Sequence, residues 1–159
     1  SIGMPSGVIT DGLGFIYNGC MGVFDPRPGM TGSLAPGKSR FTSMAPTIIF
    51  KDKEPVLVIG APGGTYIAMG VVQAIVNVLD FSMSADQAVA APRFSATSDI
   101  IEIVNRIPRY VQDELESDGY RFRRYPLGFH FAGVHAIRIT ENGCEGGADP
   151  GRDGMAMMV

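Results

Sequence analysis

Apolar and polar positions along the chain change period several times, and the longest organised stretch is 56–80, VLVIGAPGGTYIAMGVVQAIVNVLD. Val56 to Ile59 is an apolar run with the length of a buried strand. Gly60, Pro62, Gly63 and Gly64 end it, because proline fixes φ and glycine admits conformations and close approaches that a Cβ forbids. From Thr65 the period becomes helical. Tyr66, Gln73, Asn77 and Asp80 share one narrow polar stripe and nearly every other position is apolar, which predicts a core helix. The helix N-terminus carries unpaired N–H groups and the positive end of the dipole. The Gly63-Gly64 turn ahead of it can therefore present backbone donors to an anion or a developing oxyanion. The same strand, turn and helix also serve as a plain packing unit. Neither G-x-G-x-x-G nor a following Gly-Lys-Ser/Thr fits, which sets aside the usual nucleotide loops.

Before this stretch, Gly7 to Ile9 and Gly14 to Tyr17 predict two short strands about the Thr10-Asp11-Gly12 turn. Asn18 to Lys38 is rich in glycine and proline and has no period, which predicts a long loop, of the kind that is functional or mobile, and makes it a functional candidate. Thr47 to Phe50 and Val56 to Ile59 form a second hairpin about Asp52-Lys53, with apolar strands expected to be covered on both faces. After the core helix, Ser84-x-x-Gln87 predicts a capping box and a short helix that Pro92 stops. APRF follows as a connector. Asp99 to Val104 predicts a strand, and Pro108 to Ser117 a helix with Gly119 as its C-cap. Tyr120 to Tyr125 alternates weakly. Val134 to Thr140 predicts a strand, and Asn142-Gly143 turns into a last strand ending at Gly-Gly-Ala-Asp. The pattern is α+β, with an antiparallel sheet system layered with helices and no repeat or domain linker across residues 1–159.

Composition narrows the function classes. Among 159 residues, 45% are hydrophobic and 18% charged, enough for a packed core and against disorder. A net charge of −3 gives no electrostatic footprint for nucleic acid. No apolar stretch reaches membrane-span length uninterrupted. Cys20 and Cys144 fit neither a metal set nor a disulfide framework and leave the redox compartment open. The nine methionines read as core filling.

Several residues carry candidate chemistry. Thr42 and Ser43, at the mouth of the second hairpin, offer two hydroxyls for a substrate carboxylate, or local backbone caps. Asp149 and Arg152 in DPGRD are expected to pair and fasten the last loop. His135 shares a strand face with Ile137 and Ile139, and His130 lies in an aromatic loop. Sequence places no serine or cysteine beside either, so a Ser-His-Asp triad is not supported. Arg121, Arg123 and Arg124 read as a solvated face.

PGKSRFTSMAPTIIFKD, VLVIGAPGG, APRF at 91–94 and GGADPGRDG, with GFIYNGCMGVF at 14–24, resemble in order and spacing the small-subunit segments of gamma-glutamyltranspeptidases and their acylase relatives. The resemblance implies an αββα sandwich of the N-terminal-nucleophile hydrolase type, made as one precursor that cuts itself. It also implies a large-subunit partner, a small-molecule amide substrate, no cofactor or metal, and a periplasmic or secreted location. In that family an N-terminal threonine attacks the γ-glutamyl carbonyl with its own α-amine as base. Ser1 to Gly7, SIGMPSG, already resembles a later family motif. The chain is thus expected to be the C-terminal part of a small subunit, without the nucleophile segment and inactive alone. The rival, Ser1 as nucleophile, needs a strand that Gly3 and Pro5 disfavour.

Gly63 and Gly64 match the family's oxyanion-hole glycines. Thr42 and Ser43 match its paired serines for the substrate α-carboxylate. Its glutamine and second aspartate, which hold the α-ammonium, fall on Cys20 and Val23, and neither side chain is an adequate acceptor. Three functions follow: a gamma-glutamyltranspeptidase-like amidohydrolase or acyltransferase part, an acylase for another amide such as a cephalosporin-like side chain, or a non-catalytic binding relative. The open sheet left without the missing strands implies association with a partner or a second copy.

Overall fold

Strands alternate their side chains between two faces, and the strands that carry this molecule's core are apolar on both. β3 (Thr47–Lys51) and β4 (Glu54–Gly60) pair antiparallel through a tight turn in which Asp52 and Lys53 adopt φ of 51° and 74°. β8 (His135–Thr140) joins β4, and β9 (Gly143–Ala148) joins β8, giving an antiparallel sheet in the order β3-β4-β8-β9. The computed structural model describes residues 5–157, and the chain divides into two compact units, Ser1–Ser43 and Met44–Val159. The rival nucleophile Ser1, with Gly3, lies outside the described residues.

In the second unit, Leu57 and Ile59 of β4, Ala136 of β8, and Val134 just before it form one core with helix α1 (Ile67–Leu79) and helix α2 (Ala85–Ala90). α1 buries Ile67, Gly70, Val71, Ala74 and Val78. Its polar stripe is used for contacts rather than left to solvent. Gln73 bonds both the N–H and the carbonyl of Phe94, and Asn77 donates to the Ala88 carbonyl. The stripe instead stitches α1 to the neighbouring backbone, while Val72, Val76 and Leu79 are exposed. α2 starts as its sequence predicts, with the Gln87 side chain accepting the Ser84 N–H at 3.1 Å. β9 packs so closely on α2 that a Cβ at Gly147 would lie 2.3 Å from the Ala85 carbonyl oxygen.

Both helices lie on the same side of the four-stranded sheet, and on the other side the described residues bring segment 154–156 against His135 and Gly146 but leave the middle of the sheet exposed. Ile48, Val58 and Ile137 stand in register across β3, β4 and β8 and remain 54%, 37% and 48% exposed. Among the described residues methionine does not fill the core either. Met21, Met30, Met44, Met155 and Met157 are exposed, and Met83 is partly buried against the core.

A second sheet takes the order β5-β6-β7, from β5 (Phe94–Ser95), β6 (Ile101–Val104) and β7 (Phe122–Tyr125). β5 was read as a connector because two residues show no period. β6 and β7 run parallel, joined through helix α3 (Arg109–Ser117), where an antiparallel system was expected. A connection long enough to hold a helix permits the parallel return. Arg124 is no solvated charge. Its guanidinium donates to Gln112 on α3 at 2.7 and 3.0 Å and to the carbonyls of Asn105 and Ile107 at 3.1 and 2.6 Å.

In the first unit, β1 (Pro5–Ile9) and β2 (Ile16–Asn18) form the expected antiparallel hairpin. The loop beyond it contains one 3-10 turn, Cys20–Val23, and an isolated bridge between Asp25 and Ser33.

Candidate functional site

The turn that precedes α1 begins where β4 runs out of strand at Gly60. Gly63 has φ 147° and Gly64 φ 58°, and a one-turn 3-10 helix, Gly64–Tyr66, leads into α1. Gly63 and Gly64 thus occupy the first positions of a helical entry, where N–H groups have no partner one turn earlier. A Cβ at Gly63 would sit 2.5 Å from the Ala132 Cα, so the backbone must be bare there. The Gly133 N–H donates to the Pro62 carbonyl at 3.0 Å, which fixes the turn against segment 131–134. Two adjacent backbone donors held rigidly at a helix start are suited to a carbonyl oxygen that gains negative charge during acyl transfer.

Segment 131–134 is itself held by a buried ion pair that sequence reading missed. Arg93 and Asp149 are 7% and 5% exposed and pair directly, Arg93 Nη2 to Asp149 Oδ2. Arg93 also donates to the carbonyls of Ala132 and Val89, at 2.5 and 2.7 Å. Asp149 accepts the N–H groups of Val134 at 3.2 Å and Gly151 at 2.7 Å. The expected partner of Asp149, Arg152, instead stacks its guanidinium 3.9 Å from the Phe129 ring centroid and donates to the carbonyls of Phe129 and Phe131. APRF and GGADPGRDG each hold one half of this pair. Adjacency in sequence favoured Arg152, whereas the fold buries Arg93 beside Asp149 and leaves Arg152 half-buried over the Phe129 ring.

On the other side of the turn, Tyr66 donates its hydroxyl to Glu102 Oε2 at 2.7 Å and lies 2.8 Å from His130 Nε2. Tyr125 donates to Glu102 Oε1 at 2.8 Å and stacks on His130 at 3.5 Å between centroids. Burial pushes the Glu102 carboxyl up, but the hydroxyls of Tyr66 and Tyr125, with His130 and Arg123 nearby, outweigh it and leave it below the usual range. Burial and the Glu102 carboxylate together raise the Tyr66 phenol. The aromatic loop expected around His130 is present, and the histidine has no serine or cysteine among its recorded bonds.

The remaining predicted residues lie in the first unit. Cys20 and Val23 are the ends of the 3-10 turn Cys20–Val23, and the Cys20 N–H donates to Asn18 Oδ1 at 2.9 Å. Thr42 is exposed and Ser43 half-buried in a segment without regular secondary structure ahead of β3. Val23 lines a cleft with Phe24, Asp25, Pro26, Arg27 and Phe41. Arg27 binds Asp25 through both Nε and Nη2, at 3.0 and 2.7 Å, which holds the Asp25 carboxyl below its usual range. The only acid in that cleft is thereby neutralised. Among the described residues no His, Cys, Asp and Glu cluster can hold a metal, and no helix is long and apolar enough to cross a membrane.

The structure superposes on the gamma-glutamyltranspeptidase from Pseudomonas nitroreducens complexed with L-DON with a TM-score of 0.87 at 31% identity, over 98% of this chain and 87% of that one. The fold is the α+β architecture of the N-terminal-nucleophile hydrolases. A family profile described as Gamma-glutamyltranspeptidase matches residues 1–159, and the chain belongs to the gamma-glutamyltranspeptidase family. It is 39% identical over 141 residues to an acylase ACY 1 proenzyme of Pseudomonas sp. (strain V22), covering 89% of this chain and 25% of that one. It is 34% identical over 157 residues to a glutathione hydrolase proenzyme of Bacillus subtilis (strain 168), covering 97% and 26%. The chain spans about a quarter of the length of these curated relatives.

Proposed function

We propose that residues 1–159 are the C-terminal portion of a gamma-glutamyltranspeptidase-like small subunit and supply the oxyanion site of an amidohydrolase or acyltransferase. The observation that carries this reading is the bare, clamped Gly63-Gly64 turn at the entry of α1. The nucleophile is a threonine encoded ahead of residue 1, and a large-subunit chain from the same precursor completes the enzyme. The threonine hydroxyl attacks the substrate carbonyl and gives its proton to the α-amine, with negative charge developing on the oxygen that Gly63 and Gly64 face. Collapse expels the amine, which takes that proton, and water or a second amine then releases the acyl group. Thr42 and Ser43 hold a substrate carboxylate.

A second reading concerns the acyl group. Cys20 and Val23 stand where ammonium acceptors are needed, and the neutralised, largely apolar cleft beside Val23 favours acyl groups without an α-ammonium. Similarity to an acylase proenzyme, alongside glutathione hydrolase proenzymes, fits an acyl group other than γ-glutamyl. The test compares a γ-glutamyl anilide with anilides lacking the ammonium, using the processed enzyme that contains this chain. Preference for the latter is expected, with Cys20→Gln plus Val23→Asp raising kcat/KM for the γ-glutamyl substrate. Strong native preference for γ-glutamyl amides overturns the specificity reading. A precursor without that threonine and without turnover supports a non-catalytic relative, and turnover by residues 1–159 alone that Ser1→Ala abolishes makes Ser1 the nucleophile.

A further inference from the structure

The Gly63-Gly64 turn is fixed on its N-terminal side by the Gly133 bond to Pro62 and by contact with Ala132. On its C-terminal side the Tyr66 N–H bonds to the Gly63 carbonyl and the Ile67 N–H to the Gly64 carbonyl, and the turn runs directly into α1, whose Ile67 is buried in the core. The Tyr66 side chain adds a polar tie from this side, off the helix axis, to β6 and to segment 128–130. Its hydroxyl has one proton, and the ionised Glu102 carboxylate can only accept, so that proton goes to Oε2. The contact to His130 must then run the other way, with Nε2–H donating to the phenol oxygen. The result is a directed chain, His130 N–H to Tyr66 O–H to Glu102, anchored on β6 at one end and on the 128–133 segment at the other. That segment also carries Ala132 and Gly133, so both sides of the turn are referenced to one stretch of backbone.

We propose that Tyr66, held by Glu102 and His130, is a positioning residue that sets the direction of the Gly63 and Gly64 N–H groups. This rests on the oxyanion reading of that turn. Tyr66 does not touch the reacting atoms. It acts through two residues of backbone, and its packing on His130 and Phe131 at 4.9 and 5.8 Å between ring centroids is retained in a phenylalanine variant.

The test uses the complete processed enzyme and three readouts: kcat and KM on the anilide it turns over best, Ki of the boronic acid with the same acyl group, and hydrogen exchange of a peptide spanning 60–67. The boronate forms a bond to the nucleophile oxygen and places an anionic oxygen in the oxyanion site, so its Ki follows the donors' alignment. Tyr66→Phe is expected to lower kcat by roughly 10- to 100-fold, raise the boronate Ki in proportion, leave KM nearly unchanged, and speed exchange within 60–67 alone. His130→Gln, which keeps an N–H donor, is expected to retain most of the rate, whereas His130→Ala loses it; Glu102→Leu, which removes the acceptor of the Tyr66 proton, gives a second break in the chain. An unchanged kcat for Tyr66→Phe overturns the proposal, as does a fall accompanied by faster exchange throughout the molecule. If the wild-type enzyme shows neither turnover nor boronate inhibition, the oxyanion reading fails by itself. Exchange in 60–67 then decides whether Tyr66 orders the turn.

Discussion

Gly63 concentrates two constraints on one residue: a φ of 147° and an Ala132 Cα where a Cβ would go. Gly63→Ala is therefore expected to remove activity in the processed enzyme and to lower stability, since the contact is with backbone that has no rotamer to yield. Denaturation midpoints and turnover together check this. The Arg93–Asp149 pair is buried, so Arg93→Met leaves an unpaired carboxylate among Val134, Gly151 and the loop, at about 3–5 kcal/mol. Urea unfolding is expected to show that adding Asp149→Asn costs much less than a second independent loss. The Glu102 network gives a pH signature. Its carboxyl lies below the ordinary value, so its contribution is complete above that value and is lost as pH falls through the depressed one. The Tyr66 phenol is raised, so its contribution holds below the ordinary tyrosine value and is lost as pH climbs through the raised one. Glu102→Gln is expected to flatten the acid limb of stability against pH, and Tyr66→Phe the alkaline limb.

Among the elements, those with a strong local period were legible: both hairpins, α1, α2, α3 and the last two strands lie close to their predicted spans. β5 was not, because two residues paired to β6 are created by their partner and not by their own pattern. The parallel β6–β7 pair was missed for a related reason, since the weak alternation of Tyr120 to Tyr125 carries no information on direction. At the candidate site, Gly63 and Gly64 were visible because glycine leaves a signature in sequence. Arg93, Tyr66, Glu102 and His130 were not linked, as their contacts span tens of residues and depend on burial. The Asp52-Lys53 turn shows a local choice that the fold overrides, with two non-glycine residues at positive φ. Replacing them by Asn-Gly is expected to stabilise the second unit by about 0.5–1 kcal/mol, read as a higher thermal midpoint.

At the scale of the molecule, two apolar surfaces of the second unit stand open: the row Ile48, Val58 and Ile137 on the sheet, and the stripe Val72, Val76 and Leu79 on α1. Each is continuous and on a regular element, the character of surface that proteins bury against a partner. Residues 1–159 prepared alone are expected to self-associate in light scattering, and Ile48→Lys with Val72→Lys to reduce it. A monomer at all concentrations refutes this. The buried Arg93–Asp149 pair has a different consequence, for synthesis. Gly63 leaves the ribosome well before Asp149, and at roughly 5–20 residues per second the delay is several seconds. Within it, Arg93 once made lacks its counter-charge, and the 131–134 backbone, when it follows, lacks its anchor until Asp149 arrives. The donors at Gly63 and Gly64 are thus translated early but set late, and a nascent chain stalled before Asp149 has the site's residues without its shape.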